Sequence, residues 1–90
     1  MVLKDVQVAE ADRFAGIDSF EDTNELLRGS RIMVAWQGVG QQLAAFDVAR
    51  QYAVERQQFG RPLAKFQLVQ QQLVTMLGNA VASMGMMVRI

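Results

Sequence analysis

Ninety residues are enough for at most one small domain. Nine acidic and nine basic side chains cancel, so charge gives no reason to expect a nucleic-acid partner. The lack of cysteine excludes a disulfide framework, and the lack of histidine removes His-based catalysis and the commonest metal ligand. The opening Met1–Val6 has no apolar core of the kind a signal peptide needs, and no run of about 18 uncharged apolar residues is long enough to span a bilayer. A cytoplasmic location is the expectation. A composition 51% hydrophobic, with one proline, predicts a globular, helix-rich chain.

In chain order, Val6 and Val8 alternate with Asp5, Gln7 and Ala9, a period of two that predicts one strand over about residues 2–8. Such a strand has no partner within the sequence. Glu10–Gly16 then reads as a polar turn and linker. Ser19, with Asp22 three residues on, has the spacing of a capping box at a helix start. From there to about Gln57 no proline intervenes. Leu27, Ile32, Ala35, Trp36, Val39, Leu43, Phe46, Ala49 and Ala53 recur close to the helical period. Gly29, Gly38 and Gly40 weaken this helix; close packing is the expected reason for Gly38 and Gly40, while for Gly29 close packing and ligand approach to the backbone both stand. A second helix is expected over about Leu63–Val88. Its apolar stripe comprises Leu63, Phe66, Leu68 or Val69, Leu73, Met76, Leu77, Ala80, Val81, Met84 and Val88. Met84, Met86 and Met87 read as adaptable core filler; no metal site is expected of thioethers without Cys or His support. Arg89–Ile90 carries no C-cap signal, so the chain is expected to stop inside a helix.

Between the helices lies Glu55–Gln67. Gly60 suits the left-handed conformation that ends a helix, and Pro62 suits the first turn of the next. Arg56 brings five fixed donors fit for phosphate, Phe59 an aromatic face and Gln67 an amide. On chemistry alone the corner reads first as solvated charge at a helix turn. The string Tyr52-Ala53-Val54-Glu55-Arg56-Gln57-Gln58-Phe59-Gly60-Arg61-Pro62-Leu63-Ala64, followed by Phe66-Gln67-Leu68, resembles the signature of the acyl-CoA dehydrogenase family. Ser30–Trp36 further resembles its glutaryl-CoA dehydrogenase and short-chain acyl-CoA oxidase branch.

The resemblance implies an all-α fold: two long antiparallel helices of a C-terminal four-helix bundle, preceded by a strand and linker from a β-domain. Residues 1–18 would close that middle β-domain, although Ala9 stands where the family usually has proline and Phe14 where it has leucine. Residues 19–90 would form part of the bundle. It implies FAD as cofactor, with Arg56 on the ADP portion belonging to a neighbouring subunit, Phe59 packed nearby and Gln67 also in contact. Asn24, Arg28, Gly29, Ser30 and Arg31 correspond to the stretch lining the acyl-CoA site. For Arg31 a structural ion pair is the alternative.

The chemistry implied is α,β-dehydrogenation of an acyl-CoA thioester, in which a glutamate removes the α-proton and the flavin takes the β-hydride. One branch places that glutamate where this chain has Ser30; otherwise it lies far downstream. No catalytic residue is therefore assigned, Glu25 and Glu55 reading as surface groups, and the isolated chain is expected to be inactive. Two helices bury too little alone, so a fragment is expected, its bundle completed by further copies as a dimer or tetramer. The rival reading is a self-associating helical module with no catalytic role.

Overall fold

The computed structural model describes all 90 residues, and its architecture is a helical hairpin 69 × 34 × 15 Å in extent. Helix α1 runs over Asn24–Glu55 and helix α2 over Gln67–Met87. Between them, strands β1 (Gln57–Gln58) and β2 (Arg61–Pro62) form a minimal antiparallel ribbon, followed by a 3₁₀ turn at Leu63–Lys65. The expected pair of long antiparallel helices is present.

The N-terminal expectations need correcting. Residues 1–9 form no strand, because no second segment offers them a ladder. Ser19 does not cap α1 directly. A 3₁₀ turn over Glu21–Thr23 leads into α1, and Asp22 accepts hydrogen bonds from the Asp18 and Ser19 N–H groups, both 2.9 Å, and from the Ser19 hydroxyl at 3.2 Å. One carboxylate thus organises the helix entry, reaching back to the Ser19 N–H as the last member of a capping box does.

The inter-helix corner is also built differently from the expectation. Helix α1 stops at Glu55 because Arg56 turns extended (φ −73°, ψ 125°). Gly60 does adopt a positive φ, 77°, yet it ends no helix. It follows Phe59 (φ 54°) in the two-residue loop of a hairpin, both residues left-handed as a type I′ turn requires. Pro62 pairs with Gln57 at a position that donates no ladder bond, and the Leu63 N–H resumes the ladder to the Arg56 carbonyl at 2.8 Å. Helix α2 consequently starts at Gln67, four residues later than expected, after Phe66 turns extended.

The core is a narrow seam. Val39 and Ala53 on α1, and Ala80 and Met87 on α2, are the buried residues. Phe46, Ala49, Val69, Leu73 and Met76 are half-buried beside them. Val69 therefore faces inward and Leu68 outward. Val39 and Met87 line the same groove, and stepping seven residues each way brings Phe46 level with Ala80 and Ala53 level with Leu73. Large meets small along the seam, which lets the helices approach. Gly38 and Gly40 are not the reason, since a Cβ on either would meet nothing within 4 Å. The same holds at Gly29.

Such a seam leaves much apolar surface uncovered. The Cα radius of gyration is 22.4 Å, whereas a compact 90-residue domain would have about 12 Å.

Candidate functional site

Helix α1 carries the two groups of candidate residues at its opposite ends. Arg31 precedes Arg56 by 25 residues, which a straight helix converts to about 37 Å. No single small molecule bridges that span along one chain. The candidate residues therefore form two separate groups, each a candidate half-site.

The first surrounds the β1–β2 hairpin. Arg56 stands at its mouth, fixed by two backbone bonds: its N–H donates to the Tyr52 carbonyl at 2.8 Å and its carbonyl accepts from Leu63. Its exposed guanidinium takes no part in the chain's three ion pairs. Phe59 occupies the loop tip, 91% exposed, in a backbone conformation rare for a bulky residue. Its ring meets Phe66 edge-on, with centroids 6.1 Å apart and planes at 73°. Arg61 covers Phe66, its guanidinium carbon 4.2 Å from the ring centroid. Gln67 opens α2, whose first turn has neither a side-chain cap nor an acidic residue. The Gln70 side-chain amide donates to the Ala64 carbonyl at 2.8 Å and fastens the 3₁₀ turn to α2.

The structure thus gathers Arg56, Phe59 and Gln67 at one end of the hairpin. It adds Arg61 and Gln70, which the sequence reading gave no part in the site, and Phe66, which it placed only in the apolar stripe of the second helix. Arg61 and Phe66 were visible in the same string, but nothing local indicated that a hairpin would stack one on the other. Chemically, the corner offers unpaired guanidinium donors, free helix N–H groups, an amide and an aromatic face. These fit a ligand with phosphate anions joined to a flat ring system.

The second half-site is a shallow groove at the start of α1, lined by Glu21, Asn24, Glu25, Arg28 and Arg31. It unites Asn24, Arg28 and Arg31 of the expected set. Arg31 is exposed and makes no ion pair, so the structural alternative for it has no support here. Ser30 points elsewhere: its half-buried hydroxyl donates to the Leu27 carbonyl at 3.0 Å, a bond internal to the helix. Gly29 leaves open space over the backbone. Glu55 accepts the Gln51 amide at 3.1 Å on the helix surface.

Residues 20–90 match the family described as acyl-CoA dehydrogenase, C-terminal domain. The chain belongs to this family. Among curated relatives, it is 39% identical over 77 residues to 3-(aryl)acrylate reductase of Clostridium sporogenes, covering 84% of this chain and 20% of that protein. It is 38% identical over 77 residues to the probable acyl-CoA dehydrogenase YngJ of Bacillus subtilis, with the same two coverages. Caffeyl-CoA reductase-Etf complex subunit CarC of Acetobacterium woodii is 34% identical over 70 residues, 77% of this chain and 18% of that protein. The chain spans about a fifth of the length of these acyl-CoA dehydrogenase relatives. No helix is long and apolar enough to cross a membrane.

Proposed function

We propose that these residues serve a FAD-dependent acyl-CoA dehydrogenase, acting by α,β-dehydrogenation of an acyl-CoA thioester. The observation that carries this reading is the hairpin corner, which has Arg56 at its mouth and Phe59 at its tip and leads into the uncapped helix start at Gln67. Arg56 would hold the pyrophosphate through charge-assisted bonds, Phe59 would pack against the cofactor, and Gln67 would contribute amide hydrogen bonds. Asn24, Arg28, Gly29, Ser30 and Arg31 would line the acyl-CoA side. FAD supplies the redox chemistry. The separation of the half-sites supports a homo-oligomer, dimer or tetramer, in which one copy's corner completes a site opened by another copy's α1 start.

The narrower placement, near glutaryl-CoA dehydrogenase and the short-chain oxidases, rests on the Ser30–Trp36 string. Ser30 is no carboxylate and Glu55 lies at the wrong end of α1, so the 90-residue chain lacks the base and is inactive alone. Residues 1–18 would belong to the end of a β-domain, and the cellular site is proposed to be cytoplasmic.

A second reading concerns direction. Two of the relatives are named as reductases, of 3-(aryl)acrylate and of caffeyl-CoA, so reduction of an α,β-unsaturated aryl acyl group is the rival for the parent enzyme.

The test is a flavin absorbance scan combined with light scattering on the purified chain. Yellow protein at dimer mass or above, losing its colour in Arg56→Ala, would support the corner as the cofactor site. A colourless oligomer would show that the corner does not suffice to hold FAD. Colour unchanged in Arg56→Ala would refute the role given to that residue.

A further inference from the structure

The chain's zero net charge conceals a partition along its length. All nine acidic residues lie at or before Glu55, whereas residues 56–90 hold Arg56, Arg61, Lys65 and Arg89 and no acid. Arg56, Arg61 and Lys65 all fall within the corner. Neither arginine guanidinium there makes a hydrogen bond or ion pair within the chain, and Glu55 accepts from Gln51 instead. The hairpin's register relates the two arginines. Gln58 pairs with Arg61 and Gln57 with Pro62, and the bond from the Leu63 N–H to the Arg56 carbonyl carries the pairing one step further. Side chains alternate across a ribbon, so Arg56, Gln58 and Arg61 leave one face, and Gln57 and Pro62 the other. On the first face Arg56 and Arg61 are diagonal neighbours, their backbones about 7–8 Å apart. Arg61 is also set in place, its guanidinium carbon 4.2 Å from the Phe66 ring centroid, while its N–H donors stay unpartnered. Two like charges held on one exposed face repel, and an anion between them removes that cost.

We infer that Arg61 is a second anion-binding residue, and that it and Arg56 together grip the diphosphate of an organic ligand from one face of the hairpin. A diphosphate carries adjacent anionic groups, which suit two guanidinium forks converging from separate stems. A single phosphate is served by either fork alone. Because Phe66 already holds Arg61, little side-chain freedom is lost on binding. Gln58, directly opposite Arg61, adds an amide to the same face. Lys65 shares a groove with Arg61, Phe66 and Gln67 and raises the positive potential there. The inference rests on the flavin reading in giving Arg56 a diphosphate, and it adds a residue that the reading does not use. Flavin dinucleotides and acyl-CoA thioesters both carry such a diphosphate, so the test has to separate them.

The experiment titrates inorganic pyrophosphate into the full 90-residue chain and follows the arginine Nε–H signals by NMR. The Arg56 and Arg61 signals should move together and saturate as one event, while Arg89, beyond the far end of α2, stays still. Arg61→Ala should weaken pyrophosphate about tenfold or more and leave inorganic phosphate within about twofold. A purely structural role for the stack on Phe66 would not move that selectivity. Arg61→Lys, which keeps the charge without the fork, should recover only part of the loss. Arg89→Ala, the same change in net charge elsewhere, should leave both anions unaffected. Competition then identifies the source. Displacement of pyrophosphate by FAD assigns the diphosphate to the cofactor; displacement by coenzyme A alone keeps the arginine pair and sinks the flavin reading. Displacement by neither, movement of Arg56 alone, or no saturable shift at either arginine would overturn the inference. If FAD binds through Arg56 and is indifferent to Arg61→Ala, the inference falls and the flavin reading stands. The titration of the unmodified chain decides the question even if Arg61→Ala fails to fold.

Discussion

Phe59 at φ 54° is the residue whose conformation and chemistry pull in different directions. A left-handed backbone costs a bulky L-residue roughly 1–2 kcal/mol, while its edge contact with Phe66 returns about 0.5–1.5 kcal/mol. Phe59→Gly should therefore leave the thermal midpoint almost unchanged, because the two terms offset. If the corner holds FAD, the same change should weaken flavin retention. Gly60→Ala has no such offset: its Cβ meets nothing, and the φ of 77° becomes a bare cost of about 1 kcal/mol. Thermal denaturation followed by circular dichroism checks both.

Asp22 gives a pH prediction with a definite sign. Its pKa is lowered from the ordinary 3.8, first by the Asp18 N–H, then by the Ser19 N–H and hydroxyl. A depressed carboxylate contributes stability that is complete above 3.8 and is lost as pH falls through the lower folded value. Helicity at the start of α1 should thus decline on acidification below that range. Asp22→Ala should abolish that acid limb and fray the helix entry at neutral pH, as measured by hydrogen exchange at Asn24–Leu27.

At the scale of elements, the large-to-small alternation across the seam limits what the helices accept. Ala80 is 0% exposed and level with Phe46, so Ala80→Leu should overpack the crossing and destabilise by about 1–3 kcal/mol. A drop in the urea midpoint with an unchanged slope would be the signature. The positions of α1 and α2 were legible because their apolar period repeats over many turns. The corner between them was not. Gly60 and Pro62 satisfy a helix stop and start as well as they satisfy a two-residue hairpin. What decides between these is a ladder bond from Leu63 to Arg56, made across seven residues and invisible to local preference.

For the whole molecule, the apolar surface left uncovered beside the seam and the zero net charge bear on how the proposed homo-oligomer would respond to its surroundings. If that apolar surface drives assembly, raising ionic strength from about 0.05 to 0.5 M should leave the dissociation constant within about twofold, since little charge is there to screen. A strong loss with salt would instead implicate Arg28, Arg31 or Arg56. The two groups of candidate residues lie about 37 Å apart along one helix, so the proposed cofactor and substrate contacts would fall on different copies.

The sequence by itself determined the family, through Tyr52–Gln67 and the match over residues 20–90, and the helical class, through a period of 3.6 sustained on both sides of that string. It also placed Arg56, Phe59 and Gln67 around one corner. Tertiary structure alone decided that the corner is a hairpin stacked on Phe66, and that residues 1–9 form no strand. It likewise decided that Gly38 and Gly40 lie against open space, and which of the apolar residues are buried. The physical reason is one of range. Periodicity and turn chemistry act through neighbours in the chain, whereas ladder pairing, seam register and burial depend on which distant segment arrives opposite.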